Sequence, residues 1–182
     1  MNSNGQDPLI LESLDELVTA LTEAERTKYG DIIGSLKLKK SALEDFCSWS
    51  SESYTRNCIT ENDKFELILL CWEKGQITPI HDHGGEECWV KVIQGEFREV
   101  ISKMDKDGEL NVVKSTISKS DDISYMIDFM GFHSLENMSN KRSMSLHLYA
   151  KPIRNCNLFD EKTGKFVNKD LVYDTVSSFL TN

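Results

Sequence analysis

The chain has 182 residues, with 39% hydrophobic and 28% charged side chains. These proportions are typical of a globular protein that buries a core without disulfides. The net charge of −9 opposes binding to phosphate backbones, so we expect no nucleic-acid partner. No apolar run approaches the roughly 20 residues that cross a bilayer, and the polar N-terminus lacks the pattern of a secretion signal. A cytoplasmic protein without a membrane partner is therefore expected.

The five cysteines are odd in number, and no two of them have CxxC spacing. This pattern argues against a disulfide framework and against a structural zinc site. We interpret Cys47, Cys58, Cys71 and Cys156 as reduced residues that mostly serve core packing. Cys88 differs from them because it lies within a histidine motif.

Helical signals occupy the first fifty residues of the chain. Apolar residues recur at helical spacing from Leu14 onwards, and Ser13 precedes them as a candidate N-cap. A second helix is predicted over the segment KKSALEDFCSW. Gly30 and Gly34 lie between the two patterns and predict a break there.

Short apolar runs separated by turn sequences begin near Tyr54. Examples are FELILLCW and SMSLHLYA, and the Asp107–Gly108 pair predicts a hairpin turn between two such runs. Spacings of about ten residues with turns between them are typical of an antiparallel sandwich or barrel.

The domain organisation is predicted from this change of pattern along the chain. No internal repeat or low-complexity linker separates the helical part from the strand-rich part. The last apolar segment, LVYDTVSSFL, is compatible with a strand or with a short helix. We predict one domain, helical over residues 1–50 and an all-β barrel over residues 54–182.

Three of the four histidines, His81, His83 and His133, carry the strongest functional signal. His81 and His83 are two residues apart, so on a strand both imidazoles point to the same face. Taken alone, such a pair could also lie by chance on a solvated strand. If it faces the interior of a barrel, it forms half of a metal site, and His133 would supply a further ligand from another strand.

The spacing around this pair matches the first sequence motif of the cupins, a superfamily of β-barrel proteins. Gly75, five residues, His81, one residue, His83, four residues, Cys88, six residues and Gly95 agree with that motif at every spacing. The one change is Cys88, which stands where most cupins carry a metal-binding glutamate.

The second cupin motif is present only in part. His133 is followed after three residues by Asn137, as the motif requires. Asp128 and Met130 stand where proline and glycine are usual. The first motif is therefore the firmer of the two.

Loss of the motif glutamate has a chemical consequence. Three neutral imidazoles would leave open positions on a divalent metal and favour an anionic ligand such as a thiolate. Imidazole suits iron, zinc, copper and nickel, so the ligand type alone does not select the metal. A carboxylate from the adjacent Glu86 or Glu87 is the alternative to a site of histidines alone.

The chain is similar to the cysteine dioxygenase family of the cupin superfamily from about Tyr54 to Asp160, and the preceding helices also suit that family. The resemblance implies an all-β cupin β-barrel of the jelly-roll type with N-terminal α-helices. It also implies an enzyme that uses Fe(2+) to add both atoms of O2 to the sulfur of L-cysteine, giving cysteine sulfinic acid. The segments that carry it are YTRN at 54–57, LCW at 70–72, HDH at 81–83, Cys88, GFHSLEN at 131–137 and SLHLY at 145–149.

Roles for individual residues follow from the same resemblance. His81, His83 and His133 would bind the iron. Arg56 would hold the substrate carboxylate, and Tyr54 would support the pocket. A guanidinium suits this role because its planar fork matches a carboxylate with two hydrogen bonds. An ordinary surface position for Arg56 is the alternative.

The resemblance also implies roles for Cys88 and for three polar residues near the end of the barrel. Cys88 and Tyr149 would form the thioether crosslink found in animal-type members, and Ser145 and His147 would form a hydrogen-bonding relay behind Tyr149. Independently of the resemblance, Ser145, His147 and Tyr149 alternate with leucines and share one face of a strand. Inside a barrel they need hydrogen-bond partners, whereas the alternative is that this face points to solvent.

Three other functions stay open at this level. The first is dioxygenation of another small thiol such as 3-mercaptopropionate, although relatives with that preference usually carry glutamine where Arg56 stands. The second is a cupin that binds a metal or a small ligand without turnover. The third is a zinc-dependent isomerase. A monomer is expected in each case.

Overall fold

The computed structural model describes residues 9–177 of the chain. Within them, two α-helices precede eleven β-strands, and short 3-10 helices cover Arg26–Lys28, Lys40–Phe46 and Asp128–Met130. The α-helices are α1 (Leu14–Glu23) and α2 (Tyr29–Gly34), and the strands are β1 (Thr55–Glu61), β2 (Glu66–Trp72), β3 (Cys88–Gln94), β4 (Glu96–Met104), β5 (Leu110–Lys119), β6 (Ile123–Met126), β7 (Phe132–Asn137), β8 (Ser143–Tyr149), β9 (Asn155–Asp160), β10 (Lys165–Asp170) and β11 (Thr175–Val176).

The strands form two larger sheets and a separate hairpin. One sheet has the order β11-β1-β2-β8-β3-β6, the other has the order β5-β4-β7, and β9 pairs with β10. Neighbouring strands are antiparallel except for β11, which lies parallel to β1. This arrangement confirms the predicted all-β barrel with helices before it.

Strand β2 joins the two hydrophobic clusters of the molecule because both of its faces are buried. Leu67 and Leu69 pack with the helices in one cluster, while Ile68 and Leu70 pack in the other. The first cluster holds α1 and α2 against the outer face of the six-stranded sheet. The second lies between the sheets, where Phe97 of β4 joins it.

The N-terminal region is helical as predicted, but one detail of the prediction is wrong. Helix α1 begins after Ser13, whose hydroxyl accepts a hydrogen bond from Glu16 N at 3.2 Å. Of the two glycines at which a break is expected, Gly34 ends α2 as predicted, whereas Gly30 lies inside that helix. An added Cβ there would sit 2.9 Å from Nε1 of Trp89, so the glycine allows a close approach of α2 to β3. The second predicted helix is observed as the 3-10 helix Lys40–Phe46.

The strand pattern predicted from Tyr54 onwards is confirmed. Strands β4 and β5 form the expected hairpin, in which Asp105 N donates to Glu109 O and Gly108 has a φ of 83°. The C-terminal apolar segment contributes the short strand β11, and its part beyond Ser177 lies outside the described residues. None of the helices in residues 9–177 is long and apolar enough to cross a membrane.

Candidate active site

The structure brings His81, His83 and His133 into one cluster, the only group of three or more possible metal ligands among the residues described. One candidate ligand atom from each side chain lies within 4.8 Å of the others. His81 and His133 exchange two backbone hydrogen bonds, each 2.9 Å from nitrogen to oxygen. Backbone pairing therefore joins two histidines that are about fifty residues apart in the sequence.

The expected strand position of the HxH pair is wrong in detail. His81 forms only isolated bridges, and β3 does not begin until Cys88. The chain turns in between at Gly84 and Gly85, whose φ values are 61° and 92°. Even so, the rings of His81 and His83 remain neighbours, with centroids 5.4 Å apart.

Hydrogen bonds orient two of the three imidazoles. His81 Nδ1 lies 2.9 Å from the carbonyl oxygen of Pro79, and His133 Nδ1 lies 2.7 Å from Glu99 Oε1. Because a carbonyl and an ionised carboxylate only accept hydrogen bonds, each Nδ1 carries the proton and each Nε2 keeps a free lone pair. A carboxylate behind a histidine is the usual support of a metal ligand.

Burial keeps His81 and His83 in the neutral form that metal ligands require. Burial, reinforced by the neighbouring His133, lowers the pKa of His81 to about 3. Burial also lowers the pKa of His83 well below its ordinary value. His83 Nδ1 is buried and has no hydrogen-bond partner among residues 9–177. Three imidazoles grouped in this way fit a divalent transition-metal ion.

Two aspartates hold the loop that carries His83, and the sequence pattern predicts this role for neither. Asp128 accepts hydrogen bonds from His83 N at 2.8 Å and from Gly85 N at 2.6 Å. Asp82 accepts from Asn157 N at 2.8 Å and from Asn157 Nδ2 at 2.6 Å, which ties the loop to β9. In the sequence, Asp128 is a departure from the usual proline of the second motif, and that departure is the signal that points to it.

Glu86 and Glu87, the alternative sources of a carboxylate ligand, have other partners. Glu87 accepts a hydrogen bond from the Tyr125 hydroxyl at 2.6 Å and forms an ion pair with Arg26. Glu86 lies 3.6 Å from Nη2 of Arg26. Both carboxylates therefore connect the loop to the N-terminal helical region, and neither belongs to the histidine cluster.

A cavity of about 420 Å³ adjoins the histidine cluster. Its lining includes His81, Arg56, Tyr54 and Tyr149. The Arg56 side chain is only 11% exposed, so an ordinary surface position for this residue is excluded. Cys156, interpreted from the sequence as a packing residue, is buried and also lines this cavity.

The Arg56 guanidinium faces a buried carboxylate. Its Nη2 lies 3.5 Å from Oε1 of Glu66, whose side chain is fully buried. Burial acts to lower the pKa of Arg56, but Tyr149 and Glu66 together raise it above its ordinary value, so the guanidinium stays charged. Arg56 Nε is buried without a hydrogen-bond partner in the described part of the chain. The only sequence signal for Glu66 is a charge within an otherwise apolar run.

Cys88 and Tyr149 stand opposite each other on the paired strands β3 and β8, and both are buried. Burial raises the pKa of the Cys88 thiol. Burial, together with Cys88, raises the pKa of the Tyr149 hydroxyl well above its ordinary value. The Tyr149 ring centroid lies 5.9 Å from that of His83. A neutral thiol and a neutral phenol are therefore side by side next to the histidine cluster.

The polar face of β8 points into the molecule, so the solvent-facing alternative is wrong. Ser145 Oγ lies 2.9 Å from His147 Nε2 and accepts a hydrogen bond from Trp72 Nε1 at 2.9 Å. The rings of His147 and Tyr149 are nearly parallel, with centroids 6.2 Å apart. The link from Ser145 to His147 is thus a hydrogen bond, whereas the link from His147 to Tyr149 is a ring contact.

Comparison with known protein families adds an independent line of evidence. The family model described as cysteine dioxygenase type I matches residues 10–162. A zebrafish (Danio rerio) protein named cysteine dioxygenase type 1 is 29% identical over 165 residues, which cover 86% of this chain and 82% of the relative. The human (Homo sapiens) protein of the same name is 36% identical over 123 residues, which cover 65% of this chain and 62% of the relative.

A solved structure supports the fold. An uncharacterized protein with a double-stranded β-helix domain from Klebsiella pneumoniae superposes with a TM-score of 0.50 at 16% identity, covering 71% of this chain and 95% of that one. This likeness confirms the predicted cupin-type barrel and concerns the fold alone. The family match and the curated relatives confirm the predicted enzyme class, an oxidoreductase of the dioxygenase type. The chain belongs to the cysteine dioxygenase type I family.

Proposed function

We propose that this chain is an iron(II)-dependent thiol dioxygenase that converts L-cysteine and O2 into cysteine sulfinic acid. The observation that carries the proposal is that His81, from the three-histidine cluster, and the charged Arg56 line the same cavity. A small thiol acid could therefore bind with its thiol at the histidine cluster and its carboxylate at Arg56. The relatives named cysteine dioxygenase type 1 support the same substrate.

His81, His83 and His133 would hold the metal, and imidazole is a suitable ligand for iron. When bound, iron(II) would supply the redox chemistry towards O2 and would favour the deprotonated form of a thiol. Glu99 would keep His133 in the tautomer that leaves Nε2 free, because it accepts the Nδ1 proton in a hydrogen bond. The neutral state of His81 and His83 supports this assignment.

Arg56 would orient the substrate by binding its carboxylate. Arg56 lines the cavity, and the planar fork of a guanidinium can match a carboxylate with two parallel hydrogen bonds. Tyr54 stacks on Trp72 with ring centroids 4.6 Å apart, which stiffens the wall beside Arg56. A fixed clamp and a fixed wall reduce the number of positions in which the thiol can reach the histidine cluster.

Tyr149 would donate a hydrogen bond to the bound substrate, because burial keeps its hydroxyl protonated. We further propose that Cys88 and Tyr149 become crosslinked when the iron-loaded enzyme meets O2. A bond forms between Cys88 Sγ and a ring carbon of Tyr149, one hydrogen leaves each partner, and O2 accepts the two electrons and two protons. Mass analysis of a digest would then find a linked peptide pair lighter by two hydrogens, and the pair would be missing from Cys88→Ser.

The main test is turnover by the iron(II)-loaded protein. We expect O2 uptake with L-cysteine and a product that carries two added oxygens on sulfur. Zinc-loaded protein is the matched control, because zinc occupies imidazole sites but has no redox chemistry. Iron-loaded protein that binds cysteine without consuming O2 would contradict the proposal and favour a binding cupin.

The nature of the thiol and of the assembly needs separate measurements. Because Arg56 recognises a carboxylate, 3-mercaptopropionate is the competing substrate, and kcat/KM for the two thiols measured side by side decides between them. A monomer in the cytoplasm stays a prediction, and size-exclusion chromatography with light scattering tests the first half of it.

A further inference from the structure

Glu66 is a fully buried carboxyl group next to the proposed substrate clamp. It is the first residue of β2 and is 0% exposed. Its Oε1 lies 3.5 Å from Arg56 Nη2, and its Oε2 accepts a hydrogen bond from Ile153 N at 3.0 Å. An ionised carboxylate in such a place is costly unless its charge is balanced. Arg56 is therefore drawn towards Glu66 whenever Glu66 is ionised.

The surroundings of Glu66 balance two opposite influences. Burial raises the pKa of the Glu66 carboxyl to about 7, although the positive charge of Arg56 acts to lower it. The hydrogen bond from Ile153 N favours the ionised form as well. Around neutral pH the group consequently exists in both charged and neutral forms.

Titratable and charged groups face Glu66 from each element packed against it. The cationic ones are two arginines, Glu61 is a second carboxylate and pairs with Arg154 at 2.7 Å, and the others are thiols and phenols that burial keeps neutral. They are Arg56, Cys58 and Glu61 from β1, Cys88 from β3, Tyr149 from β8, Arg154 from the segment after β8, and Tyr173 from the segment before β11.

We propose that Glu66 is a positioning residue that controls how tightly Arg56 binds the substrate carboxylate, competing for the guanidinium when it is ionised and releasing it when it is protonated. This inference rests on the proposed role of Arg56 as the carboxylate clamp. Arg56 cannot give its full charge to two carboxylates at once, and the two anions repel each other across it. The cavity should thus take carboxylate-bearing thiols more tightly on the acidic side of neutrality.

The direction of the pH effect follows from the raised pKa of Glu66. Below a pH of about 7 the carboxyl is mostly protonated, so Arg56 is unopposed and binding is tight. Above that pH the ionised form predominates and binding weakens. At a separation of about 6 Å and an effective dielectric constant of about 40, between the values for a protein surface and for water, loss of the opposing charge corresponds to roughly tenfold in Kd.

Anaerobic calorimetry of the iron(II)-loaded protein tests this without turnover. The probe is 3-mercaptopropionate, titrated into wild type and Glu66→Gln at about pH 6 and about pH 8. The ratio of the two Kd values removes the titration of the thiol itself. We expect a ratio near one at the lower pH and roughly tenfold tighter binding by Glu66→Gln at the higher pH. Glu96→Gln, which removes a carboxylate of β4 that pairs with Lys119 of β5, should match wild type at both pH values.

A second thiol and a second variant separate the possible failures. Cysteamine has no carboxylate, so its Kd ratio should stay near one, and an equal gain for cysteamine would overturn the inference. Binding by Glu66→Gln that equals wild type at the higher pH would also overturn it. Arg56→Ala tests the clamp itself. If Arg56→Ala binds 3-mercaptopropionate as tightly as wild type, the proposed clamp is wrong, whereas weakened binding with no effect of Glu66→Gln rejects only the role of Glu66.

If Glu66→Gln does not fold, wild type alone decides. The Kd for 3-mercaptopropionate divided by that for cysteamine should rise by roughly tenfold from about pH 6 to about pH 8. A constant quotient would overturn the inference.

Discussion

Two sides of one cavity handle charge in opposite ways. On the side of the histidine cluster, burial keeps His81 and His83 neutral, and their positions are set by backbone pairing and by the loop that Asp128 holds. On the other side, Arg56 stays charged although it is mostly buried, because Tyr149 and Glu66 offset the effect of burial on its pKa. Metal affinity should therefore depend on ligand geometry, whereas substrate affinity should depend on a charge balance.

Removing a ligand should have the largest effect. We expect His133→Ala to lose stoichiometric iron and to lower kcat/KM by more than the about 10- to 100-fold that loss of a supporting residue costs. Metal analysis after dialysis and O2 uptake with cysteine measure both. His147→Gln is the matched control for metal content, because His147 is an equally buried histidine outside the cluster. Full iron occupancy in His133→Ala would remove His133 from the ligand set.

Truncating the clamp should affect the substrate and spare the metal. Removal of one partner of a buried charge-assisted pair costs about 2–5 kcal/mol, so Arg56→Ala should raise the KM for cysteine by at least roughly 30-fold. Steady-state kinetics measure the KM, and metal analysis tests whether the iron content stays that of wild type. Arg56→Lys keeps the charge but not the fork and should recover only part of the loss. An equal loss of binding for cysteamine would show that Arg56 acts on the fold of the cavity and not on the carboxylate.

These two sides also differ in how far the sequence predicts them. The ligand cluster follows from spacing, because the first cupin motif places His81 and His83 locally and His133 is one of only two other histidines. Glu99 and Glu66 escape prediction because their partners depend on strand register. Ile101 of β4 lies opposite His133 of β7 and only this pairing brings the neighbouring Glu99 into reach.

In the fold, too, sequence patterns predict some features and tertiary packing decides others. The alternation of apolar runs and turns predicts the strands, whereas the break predicted at Gly30 fails because a tertiary contact with Trp89 explains that glycine. Likewise, Gly84 and Gly85 delay the start of β3 beyond the histidines. Local patterns thus identify the elements, and packing decides where they begin and how charged residues pair.

The support behind His133 should have an intermediate effect. Glu99→Gln keeps a hydrogen-bond acceptor for Nδ1 but removes its charge, so we expect about 10- to 100-fold weaker metal binding. Competition with a chromophoric chelator gives the metal Kd. The control is Glu136→Gln, which removes a carboxylate that pairs with Arg98 on the exposed side of the neighbouring strand. Equal metal affinity of the two variants would mean that Glu99 is only a packing residue.

The smallest effect is expected at Glu87, and it bears on whether the ligand side is free of carboxylates. Because Glu87 accepts from Tyr125 and pairs with Arg26, Glu87→Gln should lose only a partly exposed ion pair, worth about 0–1 kcal/mol of folding free energy. The metal Kd should then stay within about twofold of wild type, well below the change expected at a supporting residue. Thermal unfolding and chelator competition measure the two quantities. A drop in metal affinity as large as that of Glu99→Gln would place a carboxylate at the metal. The ligand set would then comprise three histidines and Glu87.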